Sequence, residues 1–189
     1  MSGKQPFFWS TLLPFLLKIV YCAILSLGGA TLVFGYTLSS NDSSLRFKAY
    51  QFKRLPTNGE FHDFSAQLAW PDSIRVTFDI KSIDTKNKTR DRHLRSPDFL
   101  DAKAFPQASF VSTSITKISG TETTYTVEGN FTLKDKTKVI AFPIEAISSG
   151  NTLLVTGETT IDRFEYGVSH YKRTVDKKVD IFIDFLFFR

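Results

Sequence analysis

From about residue 45 to the C-terminus, apolar and polar positions alternate with a period of two, the pattern of strands with one buried face. In FHDFSAQLAW (61–70), Phe64, Ala66, Leu68 and Trp70 share a face. In SIRVTFDIK (73–81), Ile74, Val76, Phe78 and Ile80 lie opposite Arg75, Thr77, Asp79 and Lys81. Tyr125, Val127, Phe131 and Leu133 form a third set, Ile140, Phe142 and Ile144 a fourth, and Leu153, Val155 and Ile161 a fifth. The last run, KKVDIFIDFLFFR, aligns Val179, Ile181, Ile183, Phe185 and Phe187. With LRFKAYQF (45–52) and SFVSTSITKI (109–118) the count reaches eight strands. Turn formers separate them at Pro71-Asp72, Ser119-Gly120 and Ser149-Gly150-Asn151. Eight short antiparallel strands predict a barrel or a sandwich.

One strand and one insert depart from this pattern. Residues 109–118 set Ser112, Ser114 and Thr116 against Val111, Thr113 and Ile115, so neither face is bulky. That suits a wall that leaves space inside. Between the third and fourth strands a helix is expected over Pro97–Ala104. Ser96 would cap it, Pro97 would take the first helical position and Asp98 the first turn. Lys86 to Leu94 offers a second short helical turn before it.

The N-terminus follows other rules. Ile19–Thr37 carries no charge and matches the roughly 20 residues that span a bilayer core. QPFFWSTLLPFLL precedes it, interrupted by Pro14 and ended by Lys18. Residues 1–38 therefore read as a membrane anchor or uncleaved signal, 39–44 as a polar linker and 45–189 as the β domain. A cleaved signal is the competing reading, with a poor small-residue site at Gly28-Gly29-Ala30. Lys4 and Lys18 on one side of the span are balanced by Arg46, Lys48, Lys53 and Arg54 on the other, so charge leaves the orientation open.

The net charge of +5 invites a nucleic-acid reading. Residues 1–40 hold Lys4 and Lys18 and none of the 19 acids, which leaves the remainder nearly balanced, with its charges interspersed. A phosphate-binding surface needs a basic stripe, so nucleic acid is excluded as a partner. The 19 phenylalanines suit a dense core or an apolar cavity wall. The single cysteine, Cys22, rules out an intrachain disulfide or cysteine cluster. His62, His93 and His170 are far apart in sequence, and no Gly-rich phosphate loop or G-x-S-x-G elbow occurs. Neither a catalytic residue, a metal site nor a cofactor is expected.

The segment SIDTKNKTRDRHLRSPDFLDAKAFPQASF (82–110) resembles the signature of the YceI-like family, bacterial polyisoprenoid-binding proteins with a lipocalin-like barrel. The matching residues are Ser82-Ile83-Asp84-Thr85, Asp91-Arg92-His93-Leu94, Ser96-Pro97-Asp98-Phe99-Leu100-Asp101, Pro106 and Phe110. Val127-Glu-Gly-Asn-Phe-Thr-Leu133 with Thr137-Lys138, and Thr160-Ile-Asp-Arg-Phe-Glu-Tyr-Gly-Val168, resemble two later family elements. Leu100 stands where the family has the second ring of an F-F pair, and Asn130 and Asp135 also depart from its pattern.

The resemblance implies an all-β, eight-stranded antiparallel lipocalin-like barrel with a short helical insert; the uncharged run Ile19–Thr37 adds an N-terminal transmembrane helix before it, where many relatives carry a cleaved export signal. It implies non-catalytic carriage or storage of an isoprenoid lipid, a quinone or polyprenyl chain, outside the cytoplasmic membrane. The barrel would then face the periplasm. Strand parity nominates Phe64, Leu68, Val76, Phe78 and Ile80 as ligand contacts, and Phe110, Tyr125, Val127, Phe131, Phe142 and Ile144 beyond them. Phe99, the aromatic anchor of the signature segment, would lie near one end. The alternative is a membrane-anchored interaction or scaffold protein whose barrel core is filled.

Overall fold

The computed structural model of the protein describes residues 35–189. The strands are β1 (Tyr36–Leu38), β2 (Ser44–Gln51), β3 (Leu55–Phe61), β4 (Phe64–Ala69), β5 (Ser73–Asp79) and β6 (Ile83–Asp84). After helix α1 (Lys88–Leu94) come β7 (Gln107–Lys117), β8 (Thr124–Leu133), β9 (Lys136–Ser149), β10 (Thr152–Asp162) and β11 (Val175–Phe188).

These eleven strands make eight staves. β1 and β2 both run along β11, β3 and β4 are two halves of a strand bent at His62-Asp63, and β5 and β6 are likewise halves of one stave. Each stave pairs antiparallel with its sequence neighbours, and the β1/β2 stave closes the circle against β11. Pairing closes the circle, but not along every strand: the β9–β10 ladder stops at Ile144 and Gly157, and residues 55–59 of β3 pair only with β2. The periodicity leaves a barrel or a sandwich open; the all-β barrel that the resemblance implies is present, and it closes within Tyr36–Phe188.

Several boundaries differ from the sequence reading. Tyr36–Leu38, assigned above to the N-terminal segment, is a barrel strand whose Thr37 pairs with both Phe188 and Gln67. Residues 39–44 are more than a linker: Ser39 N donates to Leu186 O at 2.8 Å, and Ser43 Oγ accepts from Leu186 N at 2.9 Å. The rest of the expected anchor lies outside the described residues. Among the described residues no helix is long and apolar enough to cross a membrane.

β3 is a strand that alternation hid. Its sequence, LPTNGEF, carries Pro56 and Gly59, which normally weaken a strand. Gly59 is there because the Phe47 ring of β2 lies where its Cβ would stand.

The helix expected at Pro97–Ala104 is absent; α1 lies earlier, at Lys88–Leu94. Asn87 caps it, its Oδ1 accepting from Thr89 N at 3.1 Å and Arg90 N at 3.0 Å. Residues 97–104 instead fold back on the helix end. Leu100 N donates to Leu94 O, Asp101 N to Ser96 O and Ala102 N to Arg95 O. Asp101 has a φ of 48°, in the left-handed region that no right-handed helix passes through. Burial of Phe99 and Ala102 against the barrel outweighs the local capping signal.

The even-handed strand 109–118 has a geometric cause. The β7–β8 register shifts between Ser112 and Ser114, a bulge that moves the inward face from even to odd positions. Ala108 and Phe110 are buried before the bulge, and Ile115 opposes the buried Val127 after it.

Candidate functional site

The two ends of the barrel are built differently. One end carries the β4–β5, β7–β8 and β9–β10 turns, and large buried side chains fill its interior. Phe185, Phe187, Leu153 and Val155 are wholly buried there. Phe64 stacks on Phe185 at 5.5 Å, and Tyr36 meets Phe187 edge-on at 6.5 Å. This end is a floor.

Above the floor the inward side chains leave two compartments with apolar inner surfaces, although Arg46 borders the lower and Arg163 the upper. The lower, about 70 Å³, lies among Val76, Phe110, Val127, Phe142, Ile144 and their neighbours. The upper, about 130 Å³, lies beneath Phe99 and Leu100 and reaches Ile83 and Ile161. Phe47, Phe61, Phe78, Phe131 and Ile181 border both and form the partition between them. Phe78 lies within 4.6 Å of Phe61 and stacks at 6.5 Å on Phe131.

Phe99 roofs the upper compartment, 7% exposed. Outside it a vestibule of about 360 Å³ is bordered by Asn87, Arg90, His93, Gln51 and Tyr171. An apolar bore capped by an aromatic ring thus opens on a wider entrance that is still largely apolar, bordered by Phe47, Leu94 and Val175, but that also carries the polar side chains Gln51, Asn87, Arg90 and His93. Such a shape accepts a molecule with an apolar tail and a polar head.

Strand parity gives a side chain's face but not its height along the barrel. Val76, Phe78, Phe110, Val127, Phe131, Phe142 and Ile144 line the compartments, and Phe99 roofs them. Four of the nominated residues do not line either compartment. Phe64 and Leu68 belong to the floor side, Tyr125 packs edge-on against Trp70 at 4.8 Å, and Ile80 is buried beside the insert, its N–H donating to Pro106 O. Phe47 and Ile181 were missed although their strands were recognised. Phe61 stayed hidden with the rest of β3.

The signature residues hold the entrance together. Asp91 is buried, and its Oδ1 accepts from Thr85 N at 2.9 Å and from Thr85 Oγ1 at 2.5 Å. Arg90 donates to Thr85 Oγ1 and to Thr85 O, and Arg95 to Ile83 O. These bonds pin α1 to β6. His93, on the last turn of α1, sets its ring edge-on to Phe99 at 5.0 Å.

Arg163 works on the opposite side of the mouth. It is 4% exposed and donates to four backbone carbonyls: Val168 at 2.6 Å, Asp176 at 2.8 Å, and His170 and Val175 at 2.9 Å each. Burial draws its pKa down, against the pull of Asp162 and Asp176. Burial also pushes the Tyr166 phenol up to about 12.

Among the described residues, two clusters offer side chains of metal-ligand type. His93, Asp98 and His170 bring ligand atoms within 4.8 Å of one another. Asp98 is largely exposed, and Lys172 and Arg173 follow His170 in the chain, a setting that disfavours a cation. Glu60, His62 and Asp84 already surround Lys86, whose Nζ lies 2.7 Å from Glu60 and 3.1 Å from Asp84. The backbone N–H of Lys86, then His62 and the Lys86 ammonium, hold the Asp84 carboxyl down to about 2.

Comparison with known proteins adds the following. A sequence model of the YceI-like domain matches residues 36–187. A UPF0312 protein of Pectobacterium atrosepticum is 31% identical over 145 residues, 72% of this chain and 73% of that one. The crystal structure of Burkholderia cenocepacia BcnA superposes with a TM-score of 0.73 at 29% identity, covering 79% of this chain and 98% of that one. A Saccharophagus degradans domain, described as polyisoprenoid binding, has a TM-score of 0.67 over 81% of this chain and 97% of its own. At 13% identity that likeness speaks for the fold alone.

Proposed function

The chain belongs to the YceI-like family, and on that premise we propose that its barrel binds, carries or stores a long-chain isoprenoid lipid, a quinone or polyprenyl chain, without catalysing a reaction. The observation that carries this reading is the row of apolar compartments under Phe99, opening on a wider vestibule where polar side chains first appear among the apolar ones. The ligand class is the one implied by the family that the signature segment 82–110 resembles.

Size sets the manner of binding. Each inner compartment is smaller than the cavity of about 150 Å³ that admits a benzene ring. Each therefore takes a short stretch of chain, and a long tail enters only when the partition rings, Phe61 and Phe78 first among them, turn aside. Burying one isoprene unit yields roughly 4 kcal/mol at about 0.8 kcal/mol per carbon. That is ample to offset an off-rotamer aromatic at about 0.5–1.5 kcal/mol.

Organic extraction of protein purified from its own membranes, followed by mass spectrometry, is expected to yield a prenyl lipid at near one per chain. A second reading, a membrane-anchored scaffold with a filled core, draws on the large buried side chains of the floor, Phe185 and Phe187 among them. Extracts without prenyl lipid would select it.

We place the barrel on the periplasmic side of the cytoplasmic membrane, tethered by the N-terminal segment. With Tyr36 committed to β1, the uncharged run left for the anchor is Ile19–Gly35. That is the short end of the roughly 17–25 residues a spanning helix uses. Protease added to cells with a permeabilised outer membrane is expected to remove the barrel. A soluble form with a mature N-terminus near Thr31 would overturn the tether.

A further inference from the structure

Two loops at the mouth expose apolar side chains that the barrel core does not use. The β2–β3 turn presents Phe52, 62% exposed, and Leu55, 59% exposed. The loop before β11 presents Tyr171, 50% exposed. The loops are neighbours, since Phe52 N donates to Thr174 O at 2.8 Å and Gln51 pairs with Val175.

The turn is built at a cost. Phe52 and Lys53 have φ of 50° and 58°, and Arg54 N bonds back to Gln51 O at 3.0 Å. Two successive positive φ values are what a tight hairpin demands, and Asn-Gly is the usual solution. A phenylalanine there is strained and gains little burial in return. The inference runs from that strain to a use outside the barrel.

Charge identifies the use. Lys53, Arg54, Lys172 and Arg173 are all exposed beside these apolar side chains. No acid occurs from Tyr50 to Gly59 or from Tyr166 to Val175. Apolar side chains ringed by basic ones fit the interface of an anionic bilayer, where rings seat among the headgroups and each Lys or Arg strengthens binding about fivefold.

We propose that this tip docks the barrel mouth onto a membrane surface rich in anionic lipid. Gln51, Tyr171 and Val175 also border the vestibule, so docking sets the entrance against the bilayer. The proposal stands whatever fills the barrel.

The test uses residues 35–189, whose own strands close the barrel around its core. Phe52→Trp at the tip is compared with Ile147→Trp beside the β9–β10 turn at the floor, a position 42% exposed. Both are mixed with vesicles whose acyl chains are brominated, of phosphatidylcholine alone or with phosphatidylglycerol. The expected result is quenching of the tip tryptophan above that of Ile147→Trp, only with phosphatidylglycerol, reversed by high salt. Reversing all four charges (K53E/R54E/K172E/R173E) in the Phe52→Trp background is expected to weaken binding by several hundredfold or more. Equal quenching at tip and floor, or binding that ignores phosphatidylglycerol or the charge reversals, would overturn the proposal. So would protection of the tip by self-association, seen as a concentration-dependent dimer without vesicles.

Discussion

Replacing Val127 by tryptophan is expected to empty the barrel of lipid while leaving it folded. Val127 is 1% exposed and faces inward from the middle of β8, paired with Phe142 across the β8–β9 ladder. It borders the lower compartment of about 70 Å³, so most of an added indole enters space that is already there. Overpacking of a tight core costs about 1–3 kcal/mol, and the compartment should hold the cost near the lower figure. Prenyl lipid recovered per chain should fall at least tenfold, with a shift in Tm of only a few degrees. A parent that carries no lipid, together with a strongly destabilised Val127→Trp, would instead favour the filled core.

Removing Arg163 should have the largest effect on stability. Its guanidinium spans four carbonyls of residues 168–176, the stretch that forms one wall of the mouth. Hydrogen bonds from a charged donor are worth about 1.5–3 kcal/mol each and do not add fully, so Arg163→Ala is expected to cost about 3–5 kcal/mol. Arg163→Lys should recover less than half, because a single ammonium cannot reproduce the planar fork across four acceptors. Urea unfolding measures the loss, and amide exchange should show protection vanishing first in residues 168–175. An urea midpoint unchanged in Arg163→Ala would show that the loop is held by its apolar contacts. Asp162, the neighbour in the chain, answers to a different partner: its carboxylate pairs with Lys177 at 3.0 Å.

The signature motifs read in the sequence turn out to be largely architectural. The acid of Asp91-x-His93 binds Thr85 from the motif's first part, and the arginine of Ile161-Asp162-Arg163 ties down a loop. The sequence showed these residues spaced along the chain without showing what they touch. A hydrogen bond between a helix and the strand before it leaves no periodic trace.

Alternation alone determined the class of fold, the strands around Val76, Val127 and Phe142, and the inward face of each regular one. It could do so because a strand with one buried face must place apolar side chains at every second position. It failed where backbone geometry breaks that rule: at β3, where Pro56 and Gly59 interrupt the pattern, and at β7, where a bulge changes the face in mid-strand. Helix chemistry at Ser96-Pro97-Asp98 was overruled because burying Phe99 as a roof is worth more than a local cap. Only the tertiary structure decided height along the barrel, since parity carries no information about which inward ring meets which. That is why Phe64 and Leu68 belong to a packed floor while Phe47, Phe61 and Ile181, from three different staves, meet at the partition of the bore.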